Sequence, residues 1–346
     1  MKVSIIVSSY NYERHIVESI ESAFHQTYRD IEVIIVDDGS TDSSPAIMRR
    51  YEDRAKLLFK ENGGQGSAFN LAYRHASGDL IVFLDSDDVL HPTAVEKIVA
   101  ACKPGDSKVH FPLEIIGDDG TKTGAIVPRA KLPEGDIREQ LLREGMYVSP
   151  PNSGNAFSKE FLDQVMPLPE KEWAYGPDTY MVFLAPLFGR VAAVHEPLGL
   201  YRRHIQSVTN ITMAGIPEVG KKLQSMVRAS FALRELLARF ARQQGLAMAP
   251  EAVADHWLCL KVRLAMSRVA GDLDPFGNEG PFALSRRMLR AVWTTRELGL
   301  ASRLEFSLWS VLVALLPVRA AVLLIKFAFA PGERGALVRG LLRSAA

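Results

Sequence analysis

The stretch Phe83-Leu84-Asp85-Ser86-Asp87-Asp88 decides the fold, because an apolar run ends there in three carboxylates. The run itself, Leu80-Ile81-Val82-Phe83-Leu84, is rich in β-branched and aromatic residues, which predicts a buried strand. Open α/β sheets bind their ligands at the carboxyl ends of such strands. Crowded carboxylates are stabilised there by a hard divalent cation, which prefers oxygen ligands. A solvated acidic loop is the alternative that this stretch alone leaves open.

Strands and helices alternate on both sides of this stretch. The patterns predict strands at 3–7, 31–36, 56–59, 80–84, 108–116, 123–127 and 190–194. They predict helices at 13–24, after Ser43-Ser44-Pro45, and at 66–76, 92–102, 137–143 and 179–188. This alternation is typical of an α/β fold whose sheet is mostly parallel and covered on both faces.

Polar loops flank the early strands and are expected to share one edge of the sheet. They are Ser8-Ser9-Tyr10-Asn11, Asp37-Asp38-Gly39-Ser40, Asn62-Gly63-Gly64 and Asp85-Ser86-Asp87-Asp88. Together they would supply backbone N–H groups, an aromatic ring and carboxylates. Such a crevice suits a nucleotide diphosphate with its metal ion.

On these four stretches, residues 3–92 resemble the family 2 glycosyltransferases, and Leu198-Gly199-Leu200-Tyr201-Arg202-Arg203-His204 extends the resemblance to about residue 210. It implies a GT-A (nucleotide-diphospho-sugar transferase) fold, a UDP-sugar donor, Mn²⁺ or Mg²⁺, and an inverting reaction. Asp38 would read the base beside Ser8 and Tyr10, Asp85 would lie near the ribose, and Asp87 would bind the metal. Asp37 would be structural, while Asp88 could support the metal through water. The predicted nucleotide contacts are Ser8, Tyr10, Asn11, Asp38, Asn62, Gly63, Gly64, Asp85, Arg202 and Arg203.

The predicted catalytic base is Asp178, at the start of the helix after Trp173-Ala174-Tyr175-Gly176-Pro177. Sugar transfer to a hydroxyl needs a carboxylate to accept the proton. Related enzymes often carry an acidic pair here, whereas Pro177 precedes Asp178 in this chain. Glu172 and Glu170 are therefore reserves, and a plain N-cap role for Asp178 stays open.

The stretch 149–157 and the segment 198–204 supply the remaining site predictions. The first has two prolines and small residues, which exclude the interior of a helix. The resemblance implies that such a stretch floors the sugar and acceptor pocket, so Asn155 is a candidate contact together with Trp173, and a plain loop is the alternative. In the second, an arginine and His204 contact the leaving diphosphate, and His204 is also a candidate metal ligand. A solvated surface strand is the alternative for the Arg-Arg-His run.

The last third of the chain differs in charge and pattern. Of 346 residues, 47% are apolar and the net charge is +1, but residues 215–346 carry 19 Lys+Arg against 10 Asp+Glu. Helices are predicted at 219–244, 253–269 and 281–297, followed by apolar runs at 306–316 and 318–330. The division predicted is a GT-A domain over 1–213 and a helical region over 214–346. Trp309 and flanking arginines favour helices lying in a membrane interface, with a buried pair or a kinked span as alternatives.

The two cysteines, Cys102 and Cys259, stand alone, which suits a reducing compartment. The combined expectation is a glycosyltransferase at the inner face of the cytoplasmic membrane, with a possible lipid contact through residues 306–330. Its partners would be a nucleotide sugar and a glycan or lipid-linked acceptor, without nucleic acid. Two further readings are a HAD-like phosphatase using Asp85 and Asp87, and a catalytically silent scaffold that docks at membranes.

Overall fold

The computed structural model describes residues 1–174, 176–203, 215–270, 274–295 and 297–329. They form two compact units, one from residues 1–139 and 148–202 and one from residues 140–147 and 203–346. The predicted boundary after residue 213 falls outside the described residues and stays a prediction.

The first unit contains the strands and the shorter helices. Its strands are β1 (Val3–Ser9), β2 (Ile31–Asp37), β3 (Lys56–Phe59), β4 (Leu80–Asp85), β5 (Val89–Leu90), β6 (Asp106–His110), β7 (Leu113–Ile116), β8 (Lys122–Val127), β9 (Asn155–Ser158), β10 (Arg190–Ala193) and β11 (Gly199–Arg202). Its helices are α1 (Ile16–Phe24), α2 (Ser44–Met48), α3 (Gln65–Tyr73), α4 (Ala94–Ala101), α6 (Lys159–Val165) and α7 (Pro177–Phe188), and α5 (Arg138–Glu144) runs from the first unit into the second.

A seven-stranded sheet in the order β10-β6-β9-β4-β1-β2-β3 forms the centre of this unit. The paired strands are parallel except at β9, which is antiparallel to both neighbours. β1 is buried along its whole length and β4 up to Leu84, as their apolar composition requires. The predicted α/β GT-A architecture with a mostly parallel sheet and a helical C-terminal region is confirmed.

One local prediction in this unit is wrong. The single strand expected over 108–116 is two strands, β6 and β7, because Phe111-Pro112 interrupts it and the two halves join different sheets. β7 belongs to a small sheet in the order β5-β11-β7-β8. The stretch 149–157 is not the interior of an α-helix, as expected, and its last residues enter β9, which pairs with β4 and β6.

The second unit is helical, with α8 (Ile216–Gln243), α9 (Trp257–Val269), α10 (Pro281–Thr294), α11 (Leu300–Leu315) and α12 (Val318–Phe329). Its core contains Leu223, Leu260, Met288 and Val313. Within the described residues, none of the helices has the length and apolarity needed to cross a membrane. Trp309, expected to anchor in lipid, is only 8% exposed and donates its Nε1–H to the carbonyl of Leu324.

The Glu32 carboxylate ties β1 and β2 to the turn before β4. It accepts hydrogen bonds from Lys2, Ser4 and Ser77. Burial by itself raises the pKa of Glu32, but these hydrogen bonds outweigh it and lower the pKa to about 2. The ionised form therefore stabilises the fold above the unfolded-state pKa of about 4.3, and this contribution is lost as pH falls towards 2.

We expect Glu32→Gln to lower the free energy of unfolding by about 1–2 kcal/mol at pH 7, a figure reduced from that of buried charged pairs because the site is partly exposed. The difference from the wild type should shrink between pH 4.5 and 3. Urea unfolding at both ends of this range tests it. The exposed Glu52→Gln serves as the matched control, and a difference that is independent of pH would contradict the assignment.

Candidate active site

The carboxyl ends of β1, β2 and β4 meet at one edge of the main sheet. The strand register pairs Ser8 with Asp85 and Ser9 with Asp37. β1 has β2 on one side and β4 on the other, so the chain reverses its direction of winding there. Such a switch point opens a crevice between neighbouring loops, where α/β proteins bind ligands.

The loops after β1 and β2 are bound to each other through Asn11. Its backbone adopts a left-handed conformation (φ 60°), which asparagine tolerates better than most residues. Its side-chain oxygen accepts from the Thr41 N–H at 2.8 Å, and its own N–H donates to Ser40 Oγ at 2.9 Å. Asn11 therefore positions the neighbouring loop, while the ring of Tyr10 is 46% exposed beside it.

Asp38 is buried and joins the β2 loop to the glycine-containing loop. Its Oδ1 accepts from Lys60 Nζ at 2.7 Å and from the Gly63 N–H at 3.0 Å. No described residue donates a hydrogen bond to its Oδ2. The adjacent Asp37 accepts from the Ser40 N–H at 3.0 Å, which fits the structural role expected of it.

The glycines of Gly63-Gly64-Gln65-Gly66 lie where a larger side chain would collide with other atoms of the chain. Gly64 has φ +86°, and a Cβ there would lie 2.7 Å from the carbonyl oxygen of Ala174. The Gly66 N–H donates to the same oxygen at 3.4 Å. The start of α3 thus contacts the loop that precedes α7. Asn62 lies in the same loop, against Gly39.

Asp85 is held by two side chains that the sequence analysis missed. Its Oδ1 accepts from Gln65 Nε2 at 2.8 Å and from Asn152 Nδ2 at 2.9 Å. Burial, followed by the charges of Asp87 and Asp178, raises the pKa of Asp85 to about 8. Gln65 stands between glycines, a visible signal, but Asn152 is brought here only by the antiparallel pairing of β9.

Asp88 is fixed by the strand end of β11. Its Oδ1 accepts from the backbone N–H of Arg202 at 2.9 Å. Its Oδ2 is buried and has no hydrogen-bond partner among the described residues. Burial and the charges of Asp87 and Asp85 raise its pKa well above the usual range. The described residues therefore compensate the negative charge of this carboxylate only in part.

Arg202, predicted to contact the nucleotide, has its guanidinium directed into the protein. It is buried and donates to the backbone oxygens of Asp87, Gly117 and Asp118 and to the carboxylate of Glu18. Arg202 thereby holds the acidic loop in place, and a nucleotide contact for it stays a prediction. Arg203 is half-buried, and His204 lies outside the described residues.

Asp178 is placed near the acidic loop by α7. Gly176, in a left-handed conformation, and Pro177 start this helix. Burial raises the pKa of Asp178, opposed by the charge of Lys108, a fully buried lysine that the sequence analysis did not single out. The charge of Asp178 in turn raises the pKa of Asp85. The structure therefore brings the predicted base close to the predicted donor site.

The other predicted acceptor residues are buried. Asn155 donates to the Pro151 carbonyl at 2.8 Å and accepts from Ser149 Oγ at 3.2 Å, so its amide shapes the bend before β9. The ring of Trp173 packs edge-on against Tyr180, 5.7 Å between centroids. Glu170 accepts from Asn70 at 3.0 Å, whereas Glu172 is exposed.

Tyr12 is a further site residue that was not predicted. Burial and then the charges of Asp87, Asp85 and Asp88 raise the pKa of its phenol. The hydroxyl therefore lies beside the acidic loop. The sequence pattern drew attention to Tyr10, two positions earlier, because it could not show which ring turns inwards.

The acidic loop fits a divalent cation. Asp87 raises the pKa of both neighbouring aspartates, and no described residue donates a hydrogen bond to the buried Oδ2 of Asp88. Mg²⁺ and similar ions bind through one or two carboxylates together with substrate phosphates. Asp87 is thus suited to hold such an ion once a diphosphate supplies further oxygens.

Glu144, His256 and Glu297 of the second unit also lie close enough to share an ion. However, His256 Nδ1 accepts from the Leu258 N–H, so in the neutral ring the proton is on Nε2, which lies 3.4 Å from Glu297. A histidine that ligates a metal normally donates from its other nitrogen. Trp257 Nε1 donates to Glu297 at 2.9 Å, whereas Nε2 of His256 has no hydrogen-bond partner among the described residues.

We expect Arg202→Met to lower the free energy of unfolding by about 2–3 kcal/mol, since its loss leaves the backbone oxygens of Asp87 and Gly117 without this donor. Arg203→Met, the adjacent change on a half-buried residue, should leave unfolding nearly unchanged and weaken donor binding. Urea unfolding and calorimetry with UDP separate the two effects. Equal destabilisation by both variants would show that Arg202 has no special holding role.

Sheet order, the crevice at the β1–β4 switch point and the acidic loop are those of the GT-A fold. Residues 4–158 match the profile of Glycosyl transferase family 2. This stretch is similar to the family 2 glycosyltransferases.

An uncharacterised glycosyltransferase of Nostoc sp. is 37% identical over 211 residues, which are 59% of this chain and 65% of the relative, just under two thirds. S. aureus TarS 1-349, solved with UDP-GlcNAc, superimposes with TM-score 0.52 at 16% identity, covering 95% of this chain and 91% of that one. The mannosyltransferase PcManGT from Pyrobaculum calidifontis, solved with GDP-Man and Mn²⁺, gives 0.50 at 18% identity over 97% of this chain and 87% of that one.

Proposed function

We propose that this protein transfers a sugar from a nucleotide-diphosphate donor, a UDP-sugar in particular, to an acceptor hydroxyl with inversion at the anomeric carbon. The observation that carries the proposal is the contact between the start of α3 and the loop that precedes α7, where the Gly66 N–H donates to the Ala174 carbonyl at 3.4 Å. This contact supports a position for Asp178, a partly buried carboxylate suited to accept a proton, beside loops suited to bind a nucleotide.

The donor would lie along the edge formed by β1, β2 and β4. Oδ2 of Asp38 would accept from the base, and the exposed ring of Tyr10 would lie against it, with Ser8 alongside. Asp85, kept in one orientation by Gln65 and Asn152, would face the ribose. These groups are preorganised by protein contacts, which lowers the cost of ordering them on binding.

Asp87 would hold Mn²⁺ or Mg²⁺, whose charge offsets the negative charge that develops on the diphosphate. Arg203 would add a charge-assisted hydrogen bond to the same group. Arg202 keeps the backbone of the acidic loop fixed while this occurs.

Asp178 would take the proton of the acceptor hydroxyl as its oxygen attacks the anomeric carbon. The new bond forms on the face opposite the diphosphate, and the bond from that carbon to the diphosphate oxygen breaks, which inverts the centre. The nucleoside diphosphate leaves with the bonding electron pair. The raised pKa of Asp178 suits this role, because a base is most effective near the working pH.

For the acceptor, we propose a lipid-linked or polysaccharide glycan at the inner face of the cytoplasmic membrane. The basic C-terminal third supports this placement, since anionic lipid attracts positive charge. A lipid-linked acceptor is confined to the membrane surface, so an enzyme that docks there meets it at a raised local concentration.

A thermal-shift screen of nucleotide sugars with and without Mn²⁺ tests the donor assignment. A ligand at 100 times its dissociation constant adds about 2.7 kcal/mol of stability, which is readily measured. We expect UDP-sugars to stabilise the protein only when Mn²⁺ is present. Release of phosphate from simple phosphate esters, without any nucleotide response, would favour the phosphatase reading instead. No response and no turnover of any kind would favour a silent scaffold.

A further inference from the structure

The solvent-facing side of α11 is apolar. Leu300, Leu304, Leu308, Val311 and Leu315 are between 36% and 65% exposed. Their spacing of four, four, three and four residues puts them on one face of the helix. A surface helix ordinarily turns charged residues to this side.

The opposite face of α11 packs against the rest of the second unit. Trp309, Ser310, Val313 and Ala314 are buried. Trp309 is hydrogen-bonded to α12 and Val313 belongs to the core of the second unit. The leucine stripe is therefore a second apolar face, about 22 Å long at 1.5 Å per residue.

α10 presents a different exposed stripe next to it. Phe282 and Trp293 are 65% and 48% exposed, and Arg286 and Arg290 are exposed between them at helical spacing. Trp293 Nε1 donates to Ser307 Oγ of α11 at 3.0 Å. Ser307 borders the leucine stripe, so the two exposed stripes are continuous, and we call them together the α10–α11 face.

The charge on these helices is almost entirely positive. Glu305 is the single acidic residue in α10, α11 and α12, against six cations. These cations are Arg286, Arg287, Arg290, Arg303, Arg319 and Lys326, of which Arg287 is paired with Asp255 and Glu279. A two-fold contact between two copies of this chain would bring positive charges close to one another. An anionic surface would instead neutralise them.

We propose that the α10–α11 face docks on the surface of a bilayer containing anionic lipid. The leucines enter the boundary of the acyl chains, Trp293 and Phe282 lie at headgroup level, and Arg286 and Arg290 contact lipid phosphate. This inference deepens the proposed placement at a membrane and rests on it. It also moves the contact from residues 306–330, predicted from the sequence, to residues 282–315.

Sedimentation of the full chain with vesicles tests the inference, using phosphatidylcholine with and without 30% phosphatidylglycerol. Wild-type protein should sediment with the anionic vesicles and be released by salt, because the phosphate contacts are screened. Leu304→Glu/Leu308→Glu should lower the partition coefficient at least about 30-fold, since two leucines lose their burial. Arg286→Gln/Arg290→Gln should lower it about 10-fold, and only on anionic vesicles.

Ile126→Glu, an exposed apolar position on β8, is the matched control and should leave vesicle binding unchanged. Binding needs no donor, and donor hydrolysis in solution by Leu304→Glu/Leu308→Glu should equal that of the wild type. Failure of docking is thus separable from failure of sugar transfer. Wild-type protein that stays in the supernatant overturns the inference. A dimer of the wild-type protein that Leu304→Glu/Leu308→Glu dissociates would also overturn the inference. Vesicle binding that is seen only after residues 331–346 are removed would overturn it as well.

Discussion

Asp178→Asn is expected to lower kcat about 1,000-fold, within the 10²–10⁴ range of general-base catalysis, while the affinity for UDP stays close to that of the wild type. Asparagine keeps the shape of the side chain but cannot accept the proton of the acceptor hydroxyl. The substitution also removes a negative charge that raises the pKa of Asp85. The donor site therefore loses no favourable contact. Initial rates with saturating UDP-sugar, together with calorimetry of UDP binding, separate the two quantities.

The same loop offers matched controls for this prediction. Glu172 is exposed and Glu170 is hydrogen-bonded to Asn70, so Glu172→Gln and Glu170→Gln should retain most of kcat. The pH profile gives a second readout. Because burial raises the pKa of Asp178, activity should fall on the acid side at a higher pH than an ordinary aspartate would cause. Turnover that survives in Asp178→Asn but is lost in Glu172→Gln would move the base to Glu172.

The sequence predicted the parallel part of the fold well because that part is local. β1, β2, β3 and β4 each carry a short apolar run that ends in a polar loop, and parallel strands bring such loops to one edge. The strand limits agree within two residues at each end. The loops that line this edge could therefore be named from spacing and resemblance, although not every side chain within them.

What the sequence did not show depends on long-range pairing or on side-chain direction. β9 lies between β4 and β6 only because distant segments fit there, and with it come Asn152 and the buried Asn155. Arg202 and Arg203 are adjacent on a strand end, and no local pattern tells which one turns inwards. Lys108 is hidden for a similar reason, since a lysine in a strand ordinarily faces water.

The C-terminal helices show the same limit. An apolar run indicates burial or lipid contact, but it does not show which face of the helix is buried and which is exposed. The sequence favours Trp309 as the lipid anchor, yet Trp309 packs against α12, while Trp293 of α10 has an exposed indole. The stripe on α11 begins at Leu300, before the apolar run, because its spacing follows the helix and not the run.

Asp87→Ala is expected to weaken Mn²⁺-dependent UDP binding by about 100-fold or more. Loss of a residue that merely orients a metal ligand costs 10–100-fold in metal affinity, and removing a ligand should cost no less. The folded state should be preserved, because Asp87 is a like-charge neighbour of Asp85 and Asp88 and raises the pKa of both. Its removal relieves repulsion, so the free energy of unfolding without metal should stay the same or increase.

Calorimetry of UDP binding in Mn²⁺ and in EDTA measures this directly. Wild-type affinity should fall in EDTA to about the level that Asp87→Ala shows in either condition, whereas the exposed control Asp53→Ala should keep the full dependence on Mn²⁺. If Asp87→Ala bound UDP in Mn²⁺ as tightly as the wild type does, Asp87 would not be the metal ligand. If Asp88→Asn, which alters the unpartnered buried oxygen, then abolished the response instead, the ion would belong to Asp88. The acidic loop that ends β4 would still bind the cation, but through the carboxylate that Arg202 holds in place.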